Sequence, residues 1–322
     1  MVKEIGGYLE LERFTGPMLH EGALALSSGR ACLSYLIEQR GIRKIALPDY
    51  NCEVVAAACR AYGVQIRTYR IGMDLRPEEL RTEEDEWLYL VNFYGQLTEE
   101  ELRDTAARFP KLIVDNAHAY FAQPVPGADT LYTCRKFLGV PDGGFLYTDA
   151  PARELPADES RERMDFVLGR FERPAGEFFA AASRNNDELG IEPKRMSVLT
   201  ENLLRAVDYD RVRDIRTRNF RILHEALGSC NLLQLRDTAG AFAYPLMLPE
   251  GQALRRKLIG KKIFVPQLWP NVPQEQPANT AACRLAEQIL PLPCDQRYGA
   301  EEMEVIIDAV RDCLGPQKEQ KT

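Results

Sequence analysis

Strand-like and helix-like stretches alternate through the first 150 residues of this 322-residue chain, and that alternation restricts the fold more than any other feature. Ser28-Gly29-Arg30 precedes ACLSYLIEQRG, whose apolar residues recur at helical spacing and whose Gly41 suits a C-cap. KIALP (44–48) reads as a short buried strand and CEVVAAACRAYG (52–63) as the next helix. QIRTYRI (65–71), WLYLVNFYG (87–95), KLIVDNA (111–117) and GGFLYTD (143–149) are further strand candidates, with TEEELRDTAARF (98–109) helical between two of them. The alternation predicts an α/β architecture: a mostly parallel central sheet flanked by helices. In such sheets ligands bind beyond the carboxyl ends of the strands.

After residue 150 the pattern changes. A charged, mostly helical region (about 159–228) contains the long amphipathic stretch RVRDIRTRNFRILHEAL. AGAFAYPLML and KKIFVPQLW then read as strands, and EEMEVIIDAVRDCL as a closing helix. We expect a large domain over 1–220 (with its N-terminal segment), a small C-terminal α/β domain over 221–316, and a flexible tail over 317–322.

Composition excludes several classes. A net charge of −7 with acids and bases mixed along the chain leaves no basic footprint for nucleic acid. No run approaches the roughly 18 apolar residues of a membrane span, and MVKEIGGYLELE, with no charged start followed by an apolar stretch, is not expected to act as a signal peptide. The eight cysteines are scattered without a CxxC pair, and only three histidines occur, so neither a disulfide framework nor a metal site is expected. A cytoplasmic setting fits best.

Four segments hold candidate chemistry. Ser27-Ser28-Gly29-Arg30 opens a helix, where free N–H groups and the dipole favour an anion and glycine lets a phosphate approach; alone, it is also a plain N-cap. Asp115, in VDNAHA (114–119), ends an apolar strand, where a carboxylate can pair with a protonated pyridine nitrogen or simply cap a loop. Lys136, in TLYTCRKFLGVPDGG (130–144), sits between Phe and Leu beside Arg135, whose charge would favour a neutral, nucleophilic amine. The bland alternative is a surface lysine. Thr133 offers a hydroxyl to a phosphate three residues earlier, and LPDYNC (47–52) joins a strand to a helix over the same crevice.

In this order the segments resemble the DegT/DnrJ/EryC1/StrS family of pyridoxal-phosphate aminotransferases, of fold type I, over roughly residues 20–315. MSVLTENLL (196–204), RNFRILHEAL (218–227) and ILPLPCDQRYGAEEM (289–303) extend the likeness. The resemblance implies that Lys136 is the Schiff-base lysine and moves a proton. It implies that Asp115 holds the pyridine nitrogen, that His118 bonds the phenolic oxygen, and that Ser28, Gly29, Arg30 and Thr133 bind the phosphate. It also implies a homodimer. Two positions depart from the family. Cys52 stands where the family stacks an aromatic on the cofactor ring, so either the thiol or Tyr50 supplies that face. Pro193 stands where an asparagine reaches the partner's phosphate, with Asn185 or Asn186 as substitutes.

The expected activity is transfer of an amino group from an amino acid, glutamate first, to a keto-sugar, with a nucleotide carrier as one form of the acceptor. The alternatives are another pyridoxal-phosphate sugar reaction, such as dehydration or elimination, and a non-catalytic binding protein. Arg184, Arg195 and Arg297 are candidates for a substrate carboxylate, each with an exposed salt-bridge role as its bland reading.

Overall fold

The computed structural model of the chain describes residues 5–314; the expected tail over 317–322 lies outside them. Its strands are β1 (Leu24–Leu26), β2 (Lys44–Pro48), β3 (Gln65–Tyr69), β4 (Glu86–Val91), β5 (Leu112–Asp115), β6 (Asp129–Thr133), β7 (Gly144–Tyr147), β8 (Tyr244–Met247) and β9 (Ile289–Leu292). The helices are α1 (Gly29–Arg40), α2 (Glu53–Ala61), α3 (Glu99–Arg108), α4 (Asp165–Glu172), α5 (Phe179–Glu188), α6 (Val198–Leu204), α7 (Tyr209–Leu227), α8 (Gly251–Gly260), α9 (Val272–Glu275), α10 (Ala281–Gln288) and α11 (Ala300–Leu314).

The first seven strands form one sheet in the order β1-β7-β6-β5-β4-β2-β3. β3, β2, β4, β5 and β6 run parallel. β7 is antiparallel to both β6 and β1. The architecture is therefore the expected one, a mostly parallel sheet with helices packed on it. β2 and β5 are almost wholly buried, which is why they read as near-continuous apolar runs without alternation, whereas β6, equally buried, is DTLYT and is not among the expected strands. Helix starts follow the capping rules. Ser28 accepts from Ala31 N at α1, and Thr98 with Glu101 forms a reciprocal capping box at α3.

A second core, built on the antiparallel pair β8–β9, gathers Phe220, Leu223 and Leu227 of α7 with Leu254 and Leu258 of α8 and Met303, Ile306 and Val310 of α11. One expected element is absent from it. KKIFVPQLW (261–269) is not a strand but an irregular segment. Lys262 and Trp269 lie in the left-handed region at φ 63° and 56°, which no strand accommodates, and the one strand paired with β8 is β9. Two of the segment's apolar residues are buried all the same: Val265 packs into the second core and Trp269 into the first, while Phe264 is exposed.

Candidate active site

The register of the sheet brings the strand-end residues together. Val91 of β4 pairs with Asp115 of β5, and Asp115 pairs with Leu131 of β6. The carboxyl ends of these three strands therefore share one rim, above which β6 leads through Cys134 and Arg135 to Lys136. At the other side of the rim, the Asp142-Gly143-Gly144 turn presses on the start of α1. A Cβ on Gly144 would fall 2.6 Å from the carbonyl carbon of Ser28, and Gly143 adopts φ 125°. Glycine is required at both positions. Asp142 holds the turn: its carboxylate accepts from Ser197 N and Ser197 Oγ at 2.7 Å each, and from Thr200 Oγ1.

Between these walls lies a cavity of about 470 Å3, lined by Ser28, Gly29, Arg30, Cys52, Asp115, His118, Thr133 and Lys136 among others. Tyr50 is not in this lining. The chain turns it into the core, fully buried, with its ring 4.4 Å from Trp269 and 5.2 Å from Phe93. Of the two residues offered for the missing aromatic face, the structure thus brings Cys52 to the cavity and withdraws Tyr50 from it.

Asp115 accepts from Tyr89 Oη at 2.7 Å and from Ala117 N at 2.7 Å. Burial pushes its carboxyl above the usual range, while the charge of Lys136 and those two donors pull it down. Lys136 has accessible surface, which faces the 470 Å3 cavity and a second cleft beside it, yet protein surrounds its amine closely. Poor solvation holds that amine below the ordinary lysine range, with Arg135 adding to the effect and Asp115 opposing it. His118 is buried, and neither ring nitrogen has a hydrogen-bond partner among the described residues. Desolvation, reinforced by Lys136, keeps it well below the usual imidazole range and hence neutral. Its ring is stacked between Phe242 at 4.4 Å and Trp269 at 5.5 Å. Thr133 Oγ1 donates to Gly143 O at 3.1 Å, which ties β6 to the glycine turn.

The second cleft, about 700 Å3, shares Arg135 and Lys136 with the first cavity and is also lined by Arg170, Arg173, Arg297 and Tyr298. Arg297 is engaged with Asp295 through two bonds of 2.7 and 2.9 Å. Arg195 is exposed, and Arg184 lines neither cavity.

Three site residues escaped the sequence reading. Trp269 lines the cavity from the irregular segment read as a strand; its one signal was rarity, since the chain has only two tryptophans. Tyr89 hides inside an apolar strand, where the register alone reveals its link to Asp115. Arg216 of α7, almost fully buried, donates to Phe137 O at 2.9 Å and Ala241 O at 2.9 Å, joining the residue after Lys136 to the second core. Nothing in an amphipathic pattern marks such an arginine.

No family model matches the chain, and no curated protein matches it. Solved structures do. DesV of S. venezuelae, in complex with a ketimine intermediate, has 18% identity and a TM-score of 0.66 over 95% of this chain and 91% of its own. A DegT DnrJ EryC1 StrS aminotransferase from Brucella abortus has 15% identity and a TM-score of 0.62, over 94% and 92%. Spr1654 from Streptococcus pneumoniae, in its PLP form, has 14% identity and a TM-score of 0.63, over 94% and 92%. At such identities the likeness is one of fold: the chain has the fold of the fold type I aminotransferases.

Proposed function

We propose that this chain is a pyridoxal-phosphate-dependent aminotransferase of the DegT/DnrJ/EryC1/StrS family, transferring an amino group from an amino acid, glutamate first, to a keto-sugar. The observation that carries the reading is the meeting of Lys136 and Asp115, from the ends of neighbouring strands, on one cavity opposite a capped helix start. The neighbours' own names, sugar aminotransferases among them, support the same reading.

The residues fit the cofactor. His118 brings two buried nitrogens without partners, and Ser28-Gly29 offers the first N–H groups of α1. When bound, pyridoxal phosphate supplies an aldehyde carbon for amines and a ring that draws electrons from the bond broken at the donor's α carbon. Lys136 is the residue that holds the cofactor and moves the proton from that carbon, and its depressed basicity suits both tasks. Asp115 holds the ring nitrogen, and a positive charge there would reinforce the pull that Lys136 already exerts on this carboxyl. Ser28, Gly29, Arg30 and Thr133 take the phosphate; for Thr133 this means turning its hydroxyl away from Gly143. Cys52 packs on the ring as a small apolar group. The acceptor approaches by the 700 Å3 cleft, whose lining includes Lys136 and no residue of α1.

A homodimer in the cytoplasm is part of the proposal. All eight cysteines are free, which suits a reducing compartment, and no helix of the described residues is long and apolar enough to cross a membrane. The intact lysine favours transamination over dehydration, and a pure binder would need no proton carrier.

The test is to mix purified protein with pyridoxal phosphate, record the visible band, and add glutamate. Conversion to the pyridoxamine form with release of a keto acid supports transamination. Ammonia release would move the protein to elimination chemistry, and no conversion with any amino acid would make it a binder. Lys136→Ala should abolish the band and the borohydride-trapped peptide; a variant that keeps both would overturn the lysine's role.

A further inference from the structure

We propose that Arg135, held in place by Asn186, is a phosphate-binding residue of this site and takes within the chain the place left by Pro193. The inference rests on the cofactor reading above.

Two arginines meet at the phosphate end of the cavity. Arg135 donates from Nε to Pro141 O at 3.1 Å and from Nη2 to Asn186 Oδ1 at 2.8 Å. Arg30, in the first turn of α1, donates from Nη2 to Asn186 O at 2.6 Å. One residue near the end of α5 thus receives both guanidinium groups, one on its side chain and one on its backbone. These bonds occupy only part of each guanidinium's five donors.

Neither arginine has a carboxylate within ion-pair distance among the described residues. Asp142, close enough for Arg135 to sense its charge, is occupied by Ser197 and Thr200. Asp187 lines the same cavity and acts on Arg30 only at a distance. Burial and the mutual repulsion of the two cations push Arg135 down to about 10. Two poorly hydrated like charges side by side are unfavourable unless an anion joins them. The start of α1 lies beside them and favours the same sign of ligand, so a dianionic phosphate ester is the chemistry that fits. A singly charged carboxylate would leave part of the positive charge unmatched.

The bonds to Pro141 and Asn186 hold the fork at the cavity wall with other donors unused. Asn186 is therefore a positioning residue. Pro193 has neither an N–H nor a polar side chain to offer a phosphate.

The experiment titrates the apo protein with pyridoxal phosphate and with pyridoxal, its phosphate-free analogue, following the visible band. In the wild type the phosphate ester should bind at least about tenfold more tightly. Arg135→Gln should weaken the phosphate ester by about tenfold or more and pyridoxal by less than twofold. Arg135→Lys should fall between, keeping the charge but losing the fork. Asn186→Ala, which leaves Arg135 in the chain, should show the same selective loss at smaller size. The phosphate-free ligand is the control for any effect through Lys136 or through folding, since both would weaken the two ligands alike. Equal loss for both ligands, or no loss for either, overturns the proposal. A wild type that discriminates normally while Arg135→Gln does no harm sinks this inference and leaves the aminotransferase reading standing; a wild type that binds neither ligand sinks both.

Discussion

The hydroxyl of Tyr89 donates to Asp115 Oδ2 at 2.7 Å, across from one strand to the next, because Val91 and Asp115 pair in register and put Tyr89 on the same face two residues earlier. The bond is one of two that Asp115 accepts among the described residues, and it opposes the upward push of burial on that carboxyl. Tyr89→Phe removes it with little change of shape. A hydrogen bond to a charged group contributes about 1.5–3 kcal/mol. The variant should bind pyridoxal phosphate but lose roughly tenfold or more in kcat, as measured by steady-state assay with glutamate. Asp115→Asn should bind as well and turn over far less. Full activity in either would remove this pair from the mechanism.

His118 carries an energetic penalty that a ligand can relieve. Two buried ring nitrogens without partners oppose folding by about 1–3 kcal/mol for each group. His118→Phe keeps the stack between Trp269 and Phe242 and deletes the nitrogens. The apo variant should melt higher than the apo wild type, by about 2 °C or more, while its affinity for pyridoxal phosphate falls. Calorimetry and a band titration measure the two effects. A variant that melts lower and binds normally would make His118 a packing residue alone.

Trp269 offers a direct optical report of the cavity. It lines the site and is one of only two tryptophans, the other being Trp87 of β4. Cofactor binding should quench the emission of the wild type and of Trp87→Phe, and quench Trp269→Phe much less. Titration of the three proteins by fluorescence decides this. Equal fractional quenching in both variants would place the cofactor elsewhere.

Acid stability should depend on His20. Its ring sits among Tyr120, Tyr132 and Tyr147, with Nε2 2.8 Å from Tyr120 O, and burial drives it down to about 4. The folded state therefore binds fewer protons than the unfolded one between the ordinary value of 6.5 and about 4. Its contribution is fully present above pH 6.5 and is lost as pH falls through that window, amounting to about 3 kcal/mol. Thermal melts from pH 7 to 4 should show the wild type losing stability more steeply than His20→Asn. Parallel slopes would contradict the assignment.

Much of this was written locally. β2 and β5 are apolar runs bounded by turn residues, and α1 and α3 start at capping residues, so neighbours along the chain suffice to define them. Once parallel strands are expected, the strand-end rule also directs Asp115 to the rim, whereas β6, which leads Lys136 there, carries no apolar run and is evident only from its pairing with β5. The apolar run Ile263-Phe264-Val265 suggests a strand in 261–269, although Pro266 already weighs against one, and the left-handed turns at Lys262 and Trp269 with β9 as the strand paired to β8 decide otherwise. Nor could it separate Tyr50 from Cys52, two residues apart at a strand-to-helix turn whose geometry sends one ring inward.

By itself the sequence determined the layered α/β frame and the order along it of the lysine, aspartate and glycine segments, all set by period, capping and turn chemistry over a few residues. Tertiary packing alone decided that Asn186 would span 51 residues to Arg135 and 156 to Arg30, that Trp269 would close the cavity from the far end of the chain, and that Asp142 would be tied to α6. Such contacts join residues far apart in the sequence that meet only in the folded chain, and no local pattern records which distant side chain fills the space beside a given one.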